Sequence, residues 1–303
     1  MKEYDLIILG GGPAGLTAGI YACRYGLNTL VVENYYCGGQ MNLTTEIKNY
    51  PSYEFISGIE LSEKMKNHYL SNNGELLLAN PTKIDFDKNL ITIKDEEYKY
   101  KALILAMGAT ARKLNLDKEI ELTGKGISYC AICDGFFFKG KDVVVAGSGN
   151  SALEDAIYLS SICNSVSVVS KHEEFRGQDI FIKELAKKKN VTYYMGYQTT
   201  KIIGDEVLTG IEITSNSTNE IKSLKTDGLF IQIGRRPDVS LVKDKIDCNV
   251  IGFIKSNEEM HTNIPNVFVA GDVREKTMRQ IITACSDGAI AASSAFKYVD
   301  SLK

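Results

Sequence analysis

Apolar residues in this chain come in short unbroken runs, most of them ended by glycine, and the runs alternate with segments of helical spacing. Residues 6–9 (Leu-Ile-Ile-Leu), 28–32, 101–109, 142–146 (Asp-Val-Val-Val-Ala), 165–169, 228–234 and 266–272 each read as a buried strand. A strand covered on both faces needs no polar alternation, so such runs are expected of a parallel sheet. Residues 16–22 and 153–159 read as helices that follow a strand and a turn, 60–68 as an amphipathic helix, and 281–298 as an Ala- and Ser-rich helix able to pack closely. Residues 76–100 alternate and predict a small antiparallel meander turning at 87–89, and 193–224 is strand-like with polar turns. Strands alternating with helices predict an α/β fold. Nothing repeats at a solenoid period; the one repetition is a pair of strand–turn–helix units.

Both units carry glycine where a dinucleotide requires it. In the first, Gly10 permits a tight turn, Gly12 lets backbone approach a pyrophosphate, and Gly15 lets the helix pack on the strand, with Pro13 and Ala14 between them. The helix N-terminus then favours phosphate charge. Glu33 ends the next strand, where a carboxylate can accept from ribose hydroxyls. In the second unit, Gly147, Gly149 and Ala152 form G-x-G-x-x-A around Asn150 and Ser151. The following strand ends in Lys171, His172 and Arg176 instead of an acidic residue. Cations there suit a 2′-phosphate and favour NADP over NAD, although Glu173 and Glu174 stand among them and a solvated mixed-charge loop is the second reading. The glycine-rich residues 37–42, which include Gly39 and Gln40, are expected to approach a ligand instead of forming core, with Cys37 as a bystander. Gly108 ends one buried strand, and Asp272, after a glycine, ends another where it can meet a sugar-like hydroxyl.

Between the two turns lies Ser128-Tyr-Cys-Ala-Ile-Cys-Asp134. Thiols at Cys-x-x-Cys spacing can close a small disulfide ring, and one of them is usually acidified. A zinc site would need a second close pair, which Cys23, Cys37, Cys163, Cys248 and Cys285 do not provide. A nicotinamide moves hydride and a dithiol cannot accept it, so two nucleotide folds around a redox disulfide call for a flavin between the two chemistries.

Composition narrows the partners. The 303 residues are 44% hydrophobic with a net charge of -3, which gives no bulk electrostatic case for nucleic acid or an anionic membrane. No run approaches the roughly 18 apolar residues of a membrane span. The first residues enter a strand directly, without an apolar signal region, so a cytoplasmic protein is expected. Seven scattered cysteines are not a secreted disulfide framework.

The motifs at 10–15, 38–40, 49–51, 106–109, 130–134, 147–152, 270–273 and 279–281 occur in the order seen in bacterial low-molecular-weight thioredoxin reductases, which the chain resembles over essentially its full length. The resemblance implies two Rossmann-like, three-layer ββα dinucleotide-binding domains, the second inserted into the first. FAD would take 1–113 and 242–303, and NAD(P)H would take 114–241, which carries the redox pair. It implies a homodimer, a rotation between domains, and thioredoxin or a thioredoxin-like protein as partner. Cys133 would take electrons from reduced FAD, Cys130 would attack the thioredoxin disulfide, and Asp134 would protonate the leaving thiolate. Gly12, Gly15, Glu33, Gln40, Asn49, Asp272, Arg279, Gln280 and Ile281 match FAD-contacting positions, and Gly10, Pro13, Ala14, Gly39 and Gly108 lie in the same motifs or next to them.

Two departures stand out. Where the family has His-Arg-Arg and then, after three residues, Arg, this chain has Ser170, Lys171 and His172, then Arg176; Lys for Arg loses bidentate phosphate recognition. Met107 replaces the threonine of the family's Ala-Thr-Gly turn. The first departure leaves NADPH or NADH as donor. Relatives fed by ferredoxin, and others acting as dithiol oxidases, supply the alternative readings.

Overall fold

The computed structural model describes residues 2–44 and 46–303. The chain forms two compact units: one holds the residues up to Thr110 together with Arg236–Lys303, the other Ala111–Arg235. The second is an insertion in the first.

The first unit opens with β1 (Lys2–Leu9), α1 (Pro13–Arg24) and β2 (Thr29–Glu33), then α2 (Gly58–Ser71), β3 (Glu75–Leu78), β4 (Pro81–Asp85), β5 (Leu90–Ile93), β6 (Glu96–Leu105) and β7 (Ala109–Ala111). The inserted unit runs through β8 (Ile127–Ser128), α3 (Ala131–Asp134), β9 (Asp142–Ala146), α4 (Asn150–Ser160), β10 (Ser165–Ser170), α5 (Asp179–Leu185), β11 (Val191–Met195), β12 (Tyr197–Gly204), β13 (Leu208–Ser215), β14 (Ile221–Lys225) and β15 (Gly228–Ile231). The chain returns in β16 (Arg235–Pro237), which pairs with β7, and adds β17 (Val267–Val269) and α6 (Ile281–Asp300).

The strand order of the first sheet is β3-β2-β1-β6-β5-β4, with β17 also on β6. The meander expected over 76–100 and the buried strand expected over 101–109 share β6. Its first half pairs antiparallel with β5; its second half lies parallel between β1 and β17. The residue pattern explains this: 96–101 mixes exposed and buried positions, whereas 102–105 is buried without a break. β3 is not part of the meander but pairs parallel with β2 at the edge of the sheet, with Leu76 and Leu77 packing on opposite core clusters. Along β1 the side chains alternate between faces. Leu6 and Ile8 join the cluster that includes residues of α1 and α6, and Ile7 and Leu9 join Ile91, Ile93 and Tyr100 of the meander. At roughly 1.5–3 kcal/mol for each fully buried aliphatic side chain, this strand firmly anchors the turn that follows it.

The inserted unit has a parallel sheet in the order β11-β10-β9-β15-β8 and a separate antiparallel sheet β12-β13-β14. Ala152, Leu153, Ala156 and Leu159 of α4 share a core with Val143, Val145, Val166 and Val168 of the parallel sheet. Each unit therefore has the strand–turn–helix core of a Rossmann-like fold. Among the described residues no helix is long and apolar enough to cross a membrane.

Candidate active site

The two glycine turns repeat one geometry. Gly10 has φ +107°, and a Cβ there would overlap the Ala106 carbonyl at the end of β6; Gly147 has φ +147°, and a Cβ there would overlap the Gln232 carbonyl just past β15. Glycine is required at both positions for the backbone angle and for the close approach. A Cβ at Gly15 would overlap the Gly10 carbonyl, which is why α1 can lie so close to its strand. Gly12 and Gly149, each the cap of the following helix, face open space with nothing within 4 Å of a Cβ. An open cradle at a helix N-terminus has the shape a pyrophosphate needs.

Beside the first turn, Glu33 accepts the Gly11 N–H at 2.7 Å through one carboxylate oxygen and the Asn34 N–H at 2.7 Å through the other. Its carboxylate thus stands at a cleft of about 270 Å³ lined by Gly10, Glu33, Asn34, Asn80, Met107 and Asp238 among others. Gly39 lies next to Gly12, 3.6 Å from a Cβ position to the Gly12 Cα. The segment 37–42 differs from its expected character: Cys37 and Met41 are buried in the core, while Gly39 and Gln40 are exposed. The Ser62 hydroxyl donates to the Cys37 carbonyl at 2.6 Å and ties down the loop from α2, so its inner side becomes core.

Asn49 and Gln280, far apart in sequence, meet through a 3.1 Å hydrogen bond from the asparagine amide. Gln280 also caps α6 reciprocally with Thr283. Arg279 donates to the Asp272 carbonyl at 3.5 Å and lies over the Phe253 ring at 4.1 Å. Asn49, Asp272, Arg279, Gln280 and Ile281 are thereby gathered at the start of α6. Asp287 braces this corner. It accepts the Gly271 N–H at 3.1 Å and pairs with Arg274 at 3.0 Å and Lys276 at 2.7 Å, with little of any of the three side chains exposed. An open glycine cradle, an anchored carboxylate beside a cleft, and this polar cluster together fit FAD.

In the inserted unit, the Arg176 N–H donates to the Ser148 carbonyl at 2.8 Å, drawing the cationic loop onto the second turn. The Arg176 guanidinium lies 3.2 Å from His172 Nε2. Lys171 is exposed, and its carbonyl accepts from the Asn216 amide at 2.6 Å. Asn150 is turned to the Gln178 N–H at 2.8 Å, and Ser151 is exposed at the first turn of α4.

Cys130 and Cys133 form a disulfide with Cα atoms 5.3 Å apart. Cys130 caps the short helix α3, its sulfur accepting the Cys133 N–H at 3.2 Å. The Ser128 hydroxyl accepts the Cys130 N–H at 3.0 Å and donates to Asp134 Oδ2 at 2.6 Å. Burial pushes the Asp134 carboxyl above its ordinary range, and the Ser128 hydrogen bond works against that rise. The remaining cysteines carry no such arrangement. Burial raises the thiols of Cys23, Cys248 and Cys285, and pushes those of Cys37 and Cys163 up to about 11, so all five resist becoming thiolates.

Two polar residues beside the redox helix carried no role in the sequence reading: Asp155 on α4 and Gln232 beyond β15. Asp155 is 8% exposed and accepts the Ala131 N–H at 3.4 Å and the Gln232 amide at 2.5 Å. A signal existed. Asp155 shares the spacing of Ala152, Ala156 and Leu159, so it places a carboxylate on the apolar face of its helix.

A family profile described as pyridine nucleotide-disulphide oxidoreductase matches residues 4–288. A Clostridium pasteurianum protein described as a 34.2 kDa protein in the rubredoxin operon is 43% identical, the match covering 98% of each chain. The thioredoxin reductase of Bacillus subtilis is 40% identical over 100% of this chain and 96% of its own. Among solved structures, the thioredoxin reductase of Streptococcus pyogenes superposes with a TM-score of 0.91 at 37% identity, covering 99% of both chains.

Proposed function

Since the chain belongs to the pyridine nucleotide-disulphide oxidoreductase family, we propose that it is a thioredoxin-disulfide reductase, using NAD(P)H, FAD and the Cys130–Cys133 pair to reduce the disulfide of a thioredoxin. The observation that carries this reading is the Cys130–Cys133 disulfide with Asp134 on the same short helix, within a nucleotide-type fold inserted in another.

FAD, when bound, accepts hydride from the nicotinamide and passes on the electron pair. The surfaces around Gly10, Gly12, Gly15, Glu33, Gly39, Gln40, Asn49, Asp272, Arg279, Gln280 and Ile281 would hold it, so that 1–113 and 242–303 form its domain and 114–241 the domain of the pyridine nucleotide. In the dithiol state, the Cys130 thiolate attacks one sulfur of the thioredoxin disulfide. That S–S bond breaks as the mixed disulfide forms, and the departing thiolate takes a proton from Asp134. Cys133 then attacks Cys130, which restores the intramolecular disulfide and releases the second thioredoxin thiol. Burial shifts the Asp134 carboxyl upward, the direction that favours a proton donor.

NADPH is the donor we assign. Arg176 and His172 stand together beside the second turn and would take the 2′-phosphate, with Lys171 adding charge. NADH is the second reading, favoured by the exposed Glu173 and Glu174 in the same loop. A homodimer in the cytoplasm completes the proposal, supported by the resemblance to bacterial thioredoxin reductases.

The test is anaerobic. NADPH and NADH are added separately to the flavin-loaded protein, followed by oxidised thioredoxin. Flavin bleaching by NADPH and its reversal by thioredoxin are expected. Bleaching by NADH alone overturns the donor, and absence of bleaching by either overturns the pyridine nucleotide in favour of ferredoxin. Bleaching by dithiols, peroxide release once oxygen is admitted, and no response to thioredoxin point to a dithiol oxidase.

A further inference from the structure

Asp155 is a buried carboxylate that the mechanism above does not use. It sits on α4, one turn beyond Ala152 of the second glycine turn, and its one hydrogen-bonding side-chain partner is the amide of Gln232 at 2.5 Å. That same amide donates to the Tyr129 carbonyl at 3.2 Å, while Asp155 accepts the Ala131 N–H at 3.4 Å. The two side chains therefore hold the residues immediately before and after Cys130. No other pair of side chains brackets either redox cysteine in this way among the described residues.

We propose that Asp155, acting with Gln232, is a positioning residue for disulfide exchange: it fixes the backbone on both sides of Cys130, and its ionisation governs how readily the Cys130–Cys133 disulfide is reduced. This rests on Cys130 and Cys133 being the redox pair of the proposed function.

The physical reason is charge in a place with little water. Reduction breaks the S–S bond, adds two electrons and takes up two protons, or one when a thiolate persists. An ionised carboxylate close to the helix that carries both sulfurs opposes that thiolate and so favours the disulfide; a protonated one does not. Burial pushes Asp155 up to about 7, against the pull of the Ala131 and Gln232 hydrogen bonds, so the change of state falls in the working range. Glu154 on its own helix also opposes ionisation, and Arg235 beyond Gln232 favours it. Helix α3 brings Asp134 and the two cysteines. From β9, β10 and α5 the core residues packed with α4 are apolar, Val145, Val168 and Leu185 among them.

The experiment equilibrates the flavin-loaded enzyme with a small dithiol and its disulfide from pH 5.5 to 8.5, traps free thiols by alkylation, and reads the Cys130–Cys133 disulfide fraction by mass spectrometry. The small dithiol supplies both electrons and both protons and becomes its own cyclic disulfide. Wild type should show an extra fall in reduction potential centred near pH 7. Asp155→Asn should lose that step, matching wild type at the acid end and favouring the dithiol about tenfold more, or about 30 mV, at the alkaline end. Asp134→Asn should keep the step.

A folded Asp155→Asn protein with the wild-type profile overturns the proposal, as does a step that vanishes only in Asp134→Asn. Should Asp155→Asn fail to fold, Gln232→Met serves. Removing a hydrogen bond to the carboxylate should move the step to higher pH, and an unmoved step overturns the idea. A wild-type disulfide that no dithiol reduces would instead refute the redox role of the pair itself.

Discussion

The Ser128 hydroxyl donates to the Asp134 carboxylate at 2.6 Å. The acid proposed for the leaving thiolate is thus held by a residue six positions earlier, whose hydroxyl also receives the Cys130 N–H. Ser128→Ala removes a contact that favours the carboxylate form, so Asp134 should keep its proton to higher pH. The alkaline limb of kcat/KM against thioredoxin is expected to move upward in pH, a shift read from a simple pH–rate series.

Asp134→Asn should lower thioredoxin turnover by about 100-fold or more, the usual range for a lost general acid. Flavin reduction by the nucleotide should proceed at the wild-type rate, because the substitution leaves that half-reaction untouched. Stopped-flow absorbance separates the two; equal slowing of both would remove Asp134 from its role.

Gly12 and Gly15 predict opposite kinds of damage. A side chain at Gly15 meets the Gly10 carbonyl, so Gly15→Ala should destabilise the fold itself, by about 1–3 kcal/mol as overpacking does. A side chain at Gly12 meets nothing, so Gly12→Val should fold but retain little FAD. Denaturant titration of the apoproteins and flavin content of the purified proteins give the two readouts.

Asp287 holds two cations with little exposure. Asp287→Asn leaves Arg274 and Lys276 poorly compensated, a change that costs about 3–5 kcal/mol in buried pairs. It also weakens the brace on the Gly271 N–H. Lower denaturation midpoints and faster flavin loss on dilution are expected together.

Arg176→Ala should raise KM for NADPH about 10-fold or more, the loss of one charge-assisted contact, and leave that for NADH nearly unchanged. A matching rise with NADH would show that the residue serves the fold of the loop and not the 2′-phosphate.

Much of this was legible from local pattern. The two strand–turn–helix units could be read because glycine spacing and an unbroken apolar run specify backbone geometry within a dozen residues. The merging of meander and parallel strand in β6 could not, since which neighbour a strand pairs with is decided by packing partners distant in sequence. Cys37 and Met41 looked polar-loop residues from their glycines, yet Ser62 and α2 turn them inward. The Asp155–Gln232 pair joins residues 77 positions apart, and only the odd carboxylate on the apolar face of α4 hinted at it. Asn49 and Gln280 were each marked by resemblance, but their hydrogen bond is a product of folding alone.

The nesting of one unit inside the other sets an order of events during synthesis. The inserted unit needs only residues 111–235, so it can close as soon as that stretch has left the ribosome. The outer sheet must wait for β17 to reach β6, and α1 must wait for α6, across most of the chain. The outer unit is therefore the last to complete and the one whose apolar faces are exposed longest to chaperones and to aggregation. With FAD assigned to the outer unit as proposed above, flavin availability at that late stage should govern, more than nucleotide availability, how much newly made chain reaches its folded form.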